Sequence, residues 1–234
     1  HYSNPYSIIN DWSFDQWVKG FPLKHNTLGK EEIIQKLSRD TLIFYKNLFM
    51  NPNGSYITLV GDFDYEDIER ICESLSNFNG RDVHQKPIPD EEKLNQRIIN
   101  EKGFEGISRA HIIYLFRTPT LHHTDNPPLF IATDILCDIS SSRLYKALRE
   151  EEGLTYGISR ELTVANDYGN YFVSFDVDQK DVRKAIDRTD NELIKLSAED
   201  ISDEELEEAR KRLGINALSD IYGPGVSANI RLEL

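Results

Sequence analysis

Cysteine is scarce in this 234-residue chain: Cys72 and Cys137 are the only two, and they lie far apart in sequence. Their number and spacing exclude a disulfide-built scaffold and the close cysteine pairs of redox or zinc motifs. Both fall on the apolar faces of expected helices and read as buried thiols, which leaves the compartment open. Histidine is sparse as well. The six stand at 1, 25, 84, 111, 122 and 123, and no two are three or four residues apart, so neither zincin nor inverzincin zinc spacing can be assembled. Long apolar runs are missing; 111–116 and 129–136 are among the longest, far short of the ~20 residues that cross a bilayer. The chain therefore reads as soluble, without a membrane partner. Positive charge is outweighed, 27 basic against 40 acidic side chains, and the net charge of -13 with scattered lysines and arginines excludes nucleic acid as the expected partner. Glycine-rich phosphate fingerprints and a nucleophile elbow are also absent, so Ser140–Ser142 gain no support as a hydrolase site.

What is present suffices for a sizeable core: 39% of the residues are hydrophobic. The first residue, His1, is what a processed product or a piece of a longer chain would show. Residues 1–30, rich in aromatics and with a helical stretch over 10–19, read as the tail of an upstream element. Residues 31–234 read as one α+β domain carrying a polar, proline-containing linker at about 79–95.

Within it, Ser38 caps a helix running to Phe49, with Leu42, Tyr45 and Phe49 on one stripe. A strand is expected over 56–60, a helix over 65–75, and strands over 96–101 and 110–116. Pro127 and Pro128 open a further helix. The alternation of Tyr171, Val173, Phe175 and Val177, the preceding stretch 156–164 and the turn at 166–169 predict a hairpin. Two long helices close the chain, the second starting from a Ser202–Glu205 capping box. This order predicts an antiparallel sheet with helices packed on one face.

Two loop features imitate metal sites. His122 and His123 with Asp125 offer a weak ligand set, but 118–128 reads as an ordinary polar connection. Asp62, Asp64, Glu66 and Glu73 mimic calcium-loop oxygens, yet Asp67 stands where that loop needs glycine, and Asp64 serves better as a helix N-cap.

The run from Ser140 to Tyr156, SSSRLYKALREEEGLTY, carries the most information. A helix ending near Glu152, with Gly153 as a left-handed C-cap, reverses the chain so that Arg149 and Tyr156 can face one substrate. On spacing alone the plainer reading comes first: the arginine complements the helix dipole and the tyrosine covers a core with its hydroxyl in water.

That run resembles the hallmark of the carboxyl-terminal, zinc-free domain of the pitrilysin/insulysin (inverzincin) metallopeptidases. The likeness extends to Leu28-Gly29, the helix starting at Ser38, Asn51-Pro52 leading into YITLVGDFD at 56–64, and EELEEARK at 204–211, in the same order and covering roughly residues 25–234. It implies a half that clamps a peptide while another half holds the zinc. It implies that Arg149 and Tyr156 donate hydrogen bonds to the substrate carbonyl and its developing oxyanion. His-x-x-Glu-His is absent, so this chain is expected to bind no metal and to be inactive alone. Its expected partners are a peptide and a zinc-bearing half, on the same polypeptide or a separate subunit. The alternative is a non-catalytic structural or assembly module of the same fold.

Overall fold

The computed structural model describes residues 8, 9, 11–13, 15, 29–50, 57–59, 61–76, 97–138 and 140–222, with side chains as far as 215 in the last helix. The chain divides into two compact units, one formed by 1–26 and 88–213, the other by 27–87 and 214–234.

In the second unit, helix α1 (Arg39–Phe49) is capped by Ser38, whose hydroxyl accepts the Thr41 N–H at 3.1 Å. Helix α2 (Tyr65–Ser76) starts from reciprocal bonds: Asp67 N–H donates to Asp64 and Asp64 N–H to Asp67. Asp64 is thus used as a cap, as its sequence context suggested. Cys72, expected to be buried, is exposed, because only a narrow stripe of α2 around Ile68 and Ile71 is covered. Residues 57–59 belong to no strand, and neither do 97–101 of the first unit, so the strands expected over 56–60 and 96–101 are not formed in the described residues.

The first unit holds the sheet. Its three strands, β1 (Arg109–Arg117), β2 (Ile158–Val164) and β3 (Gly169–Asp178), are ordered β1-β3-β2 and antiparallel throughout. Alternation decides which face is buried. Tyr171, Val173, Phe175 and Val177 of β3 are buried and pair with Phe116, Tyr114, Ile112 and Ala110 of β1. On the other side Ile158 and Leu162 of β2 stand opposite Phe175 and Tyr171. Tyr114, Phe116 and Tyr171 stack along this face, with ring centroids 6.3 and 6.0 Å apart. The hairpin between β2 and β3 needs glycine at its exit, because a Cβ on Gly169 would meet the Pro119 carbonyl oxygen at 2.2 Å.

Helices cover the same face. Leu136 of α3 (Asn126–Leu136), Leu144 of α4 (Arg143–Tyr145), Leu148 of the turns that follow it and Ala185 of α5 (Val182–Ala198) join the β3 side chains in one core. This is the α+β architecture with an antiparallel sheet that the sequence predicted. Cys137 lies in this core, and burial pushes its thiol up to about 12, so it stays protonated and inert.

Two ionic clusters tie the part of α6 (Asp203–Tyr222) that lies in this unit, up to Leu213, to its other elements. Arg160 occupies a core-facing position of β2, opposite Val173. Its charge is met by Asp138 at 2.6 Å and by the fully buried Asp134 at 3.5 Å. Arg212 of α6 donates to Asp134 at 2.6 and 2.8 Å and to Ser141 Oγ at 3.1 Å. Burial raises the Asp134 carboxyl, and Arg212 opposes that rise. In the second cluster Glu205 closes the expected capping box with Ser202 and takes two bonds from Arg143, at 2.7 and 3.0 Å.

The core and the second cluster each yield an expected outcome. Leu148→Ala should lower unfolding stability by about 2–5 kcal/mol in urea titration, since it leaves a cavity in a close-packed site. Glu205 is held at about 2, below the usual 4.5, first by Arg143. A depressed carboxyl stabilises the fold above its unfolded value and loses that contribution as pH falls through the folded one. Stability should therefore drop between about pH 4.5 and 2 in the wild type, and Glu205→Gln should flatten that segment of the stability curve.

Candidate functional site

The helix that carries Arg149 is not α-helical along its length. After Ser142 caps α4 in extended conformation, the chain winds as a π-helix over Lys146–Glu151. The sequence predicted regular helix here; its residues are ordinary helix formers, and nothing in their spacing signals the wider i→i+5 winding. Short π turns are often found at functional sites. The end is closed as expected by Gly153 with φ +61°, a conformation that suits a residue without Cβ. Gly153 N–H donates to Arg149 C=O at 3.2 Å, and Leu154 N–H reaches back to Leu148 C=O at 2.8 Å. The reversal is thus one residue wider than the usual glycine-terminated helix end, in keeping with π winding.

This segment is held from three sides. Leu144, Ala147 and Leu148 are buried in the core. Arg143 is fixed to Glu205 of α6. The acidic tail binds α5: Glu152 pairs with Lys184 at 2.5 Å, and Glu151 pairs with Arg188, which also bonds Glu192 at 2.8 Å. The Glu152 carboxyl is lowered by its bond from Lys184.

These pairings have an electrostatic result for Arg149. Two of the three glutamates that follow it are taken by α5, and among the described residues no carboxylate pairs with the Arg149 guanidinium. Arg149 is exposed, with its guanidinium carbon 4.9 Å from the ring centroid of Tyr145, one turn earlier. Beyond Gly153 the chain is anchored again, since Leu154 and Thr155 are buried and the Thr155 hydroxyl donates to Gly157 C=O at 3.0 Å. Tyr156 then points outward, 80% exposed, two residues before β2 begins. Its ring lies 5.5 Å from the guanidinium carbon of Arg109, the first residue of β1.

The candidate site is therefore two hydrogen-bond donors flanking one Gly153 reversal, each in contact with a cation–aromatic partner. Such groups can donate to a carbonyl or an oxyanion. They cannot hold a cation, and among the described residues no group of three or more His, Cys, Asp or Glu is arranged for a metal ion. Zinc thus finds no fitting donor set in these residues. His123 is occupied in its own turn, accepting the Asp125 N–H at Nδ1 over 3.1 Å. Ser141 accepts from Arg212, and Ser142 is buried.

Sequence reasoning singled out Arg149, Tyr156 and Gly153 and missed Tyr145 and Arg109. Tyr145 could have been found, because it stands four residues before Arg149 on a helix. Arg109 gave no local signal; its proximity to Tyr156 depends on the sheet.

The chain is 26% identical over 225 residues to an uncharacterized zinc protease of Rickettsia bellii, an alignment covering 91% of this chain and 51% of that protein. The chain spans about half the length of the curated relatives it matches. Among solved structures, a protease from Helicobacter pylori superposes with a TM-score of 0.80 at 15% identity, covering 98% of this chain and 57% of that one. A chain of Complex III2 from Candida albicans superposes with a TM-score of 0.76 at 16% identity, covering 97% and 55%. These last two likenesses concern the fold. No described helix is long and apolar enough to cross a membrane. The family model for the peptidase M16 inactive domain matches residues 36–213, and the chain belongs to that family.

Proposed function

We propose that this chain is the substrate-clamping half of a zinc-dependent endopeptidase. In this reading Arg149 and Tyr156 orient the scissile carbonyl of a peptide toward zinc held by a complementary half, on the same polypeptide or a second subunit. The observation that carries it is the exposed Arg149 guanidinium, paired with no carboxylate among the described residues, and the exposed Tyr156 phenol on either side of one fixed reversal, in a chain of the M16 inactive-domain family. Metal chemistry belongs to the other half. This chain's contribution is donation: the guanidinium fork and the phenol bind the carbonyl and hold charge that grows on its oxygen, without changing their own protonation. Because Arg188 and Lys184 neutralise Glu151 and Glu152, the positive charge of Arg149 is kept for that oxygen.

A second reading, a non-catalytic structural or assembly module, is supported by the fold shared with the Complex III2 chain.

The two readings separate in one experiment. With the zinc-bearing half present, Arg149→Ala and Tyr156→Phe should each lower kcat/KM for peptide cleavage by about 10²-fold, the usual loss for one oxyanion donor. Wild-type rates in both variants would remove the site assignment. Failure to cleave any peptide with that half present would favour the assembly module.

A further inference from the structure

The two donors share a feature that peptide clamping does not require: each is in contact with a partner that completes a cation–aromatic pair. Arg149 lies over the Tyr145 ring at 4.9 Å, and the Tyr156 ring lies beside the Arg109 guanidinium at 5.5 Å. Both distances fall within the range where a cation is attracted to the face of an aromatic ring. The partners are themselves fixed. Tyr145 is half-buried on α4, between the fully buried Leu144 and the buried Ala147. Arg109 donates to the Asp176 backbone carbonyl at 3.0 Å and lies 3.9 Å from the Asp178 carboxylate, while its buried Nε has no hydrogen-bond partner among the described residues. An anchored guanidinium beside a tyrosine that is 80% exposed restricts a side chain that solvent would otherwise leave free.

We infer that Tyr145 and Arg109 are positioning residues for the donor pair, Tyr145 supporting the Arg149 guanidinium and Arg109 supporting the Tyr156 phenol. This rests on the clamping role proposed above. Neither touches the peptide. Each acts by reducing the rotamer freedom that its donor must lose when substrate arrives, which is pre-organisation of an electrostatic site. The arrangement also assigns different tasks to chemically similar groups: Arg149 donates and Arg109 supports, Tyr156 donates and Tyr145 supports.

The test is a pair of mutant cycles in the full-length protein with its zinc-bearing half, reading kcat and KM separately. Arg109→Met and Tyr145→Leu should each lower kcat by about fivefold, the size of one exposed cation–π contact, with a smaller change in KM. Tyr145→Phe, which keeps the ring, should rescue the Tyr145→Leu loss. Adding Arg109→Met to Tyr156→Phe, or Tyr145→Leu to Arg149→Ala, should cost nothing further, since the supported donor group is already gone. Full activity of Arg109→Met and Tyr145→Leu beside impaired Arg149→Ala and Tyr156→Phe would overturn the positioning roles and leave the clamp standing. Losses that multiply in the doubles would also overturn them. Wild-type rates in Arg149→Ala and Tyr156→Phe themselves would overturn both proposals. A direct readout covers a variant that loses its fold: in the wild-type protein the Arg109 side-chain N–H resonance should carry an upfield ring-current shift, and an unshifted resonance would sink the Arg109 contact.

Discussion

Burial of one face of β3 is the constraint from which the rest of the first unit follows. Tyr171, Val173, Phe175 and Val177 must leave water together, because they alternate along one strand with both neighbours paired. Once they do, the register to β1 and β2 is set, and the helices have a single apolar surface on which to pack. Leu144 and Leu148 answer that surface from the segment carrying Arg149. The distance from core to candidate site is therefore one side chain: Leu148 is buried and its neighbour Arg149 is exposed.

Charge is used inside this unit in two ways. Around Arg160, Asp134, Asp138 and Arg212 it is spent internally, with an arginine in the core-facing row of β2 met by carboxylates from α3 and the loop after it. Removing one member would leave another buried without its partner, which costs far more than an exposed pair contributes. Around Arg149 the opposite holds. Two of the three acids that follow it, Glu151 and Glu152, pair with α5, and the guanidinium is left outward. The same pairing chemistry thus fastens one region and leaves the Arg149 guanidinium exposed in the other.

The elements legible in the sequence were those with strong local rules. Ser38, Asp64 and Ser202 marked helix starts by their capping chemistry, Gly153 marked a left-handed end, and the alternation of Tyr171 to Val177 marked the central strand. What escaped depended on neighbours distant in sequence. The stretches 57–59 and 97–101 have strand composition without a described ladder partner. Cys72 matched a helical stripe wider than the one that is covered. Arg160 broke the apolar alternation of β2 for a reason visible only when Asp134 and Asp138 are brought beside it. Of the candidate site, the two donors were legible by resemblance, whereas Arg109 needed the sheet to bring it near Tyr156.

The π winding over Lys146–Glu151 bears on how relatives of this chain should be aligned. A π turn takes up one more residue than an α turn across nearly the same rise. A homologue one residue shorter here can keep the core leucines and the glycine reversal in place by winding as a regular helix. A gap at this point would then record a change of pitch, with the arginine and the tyrosine still corresponding across it.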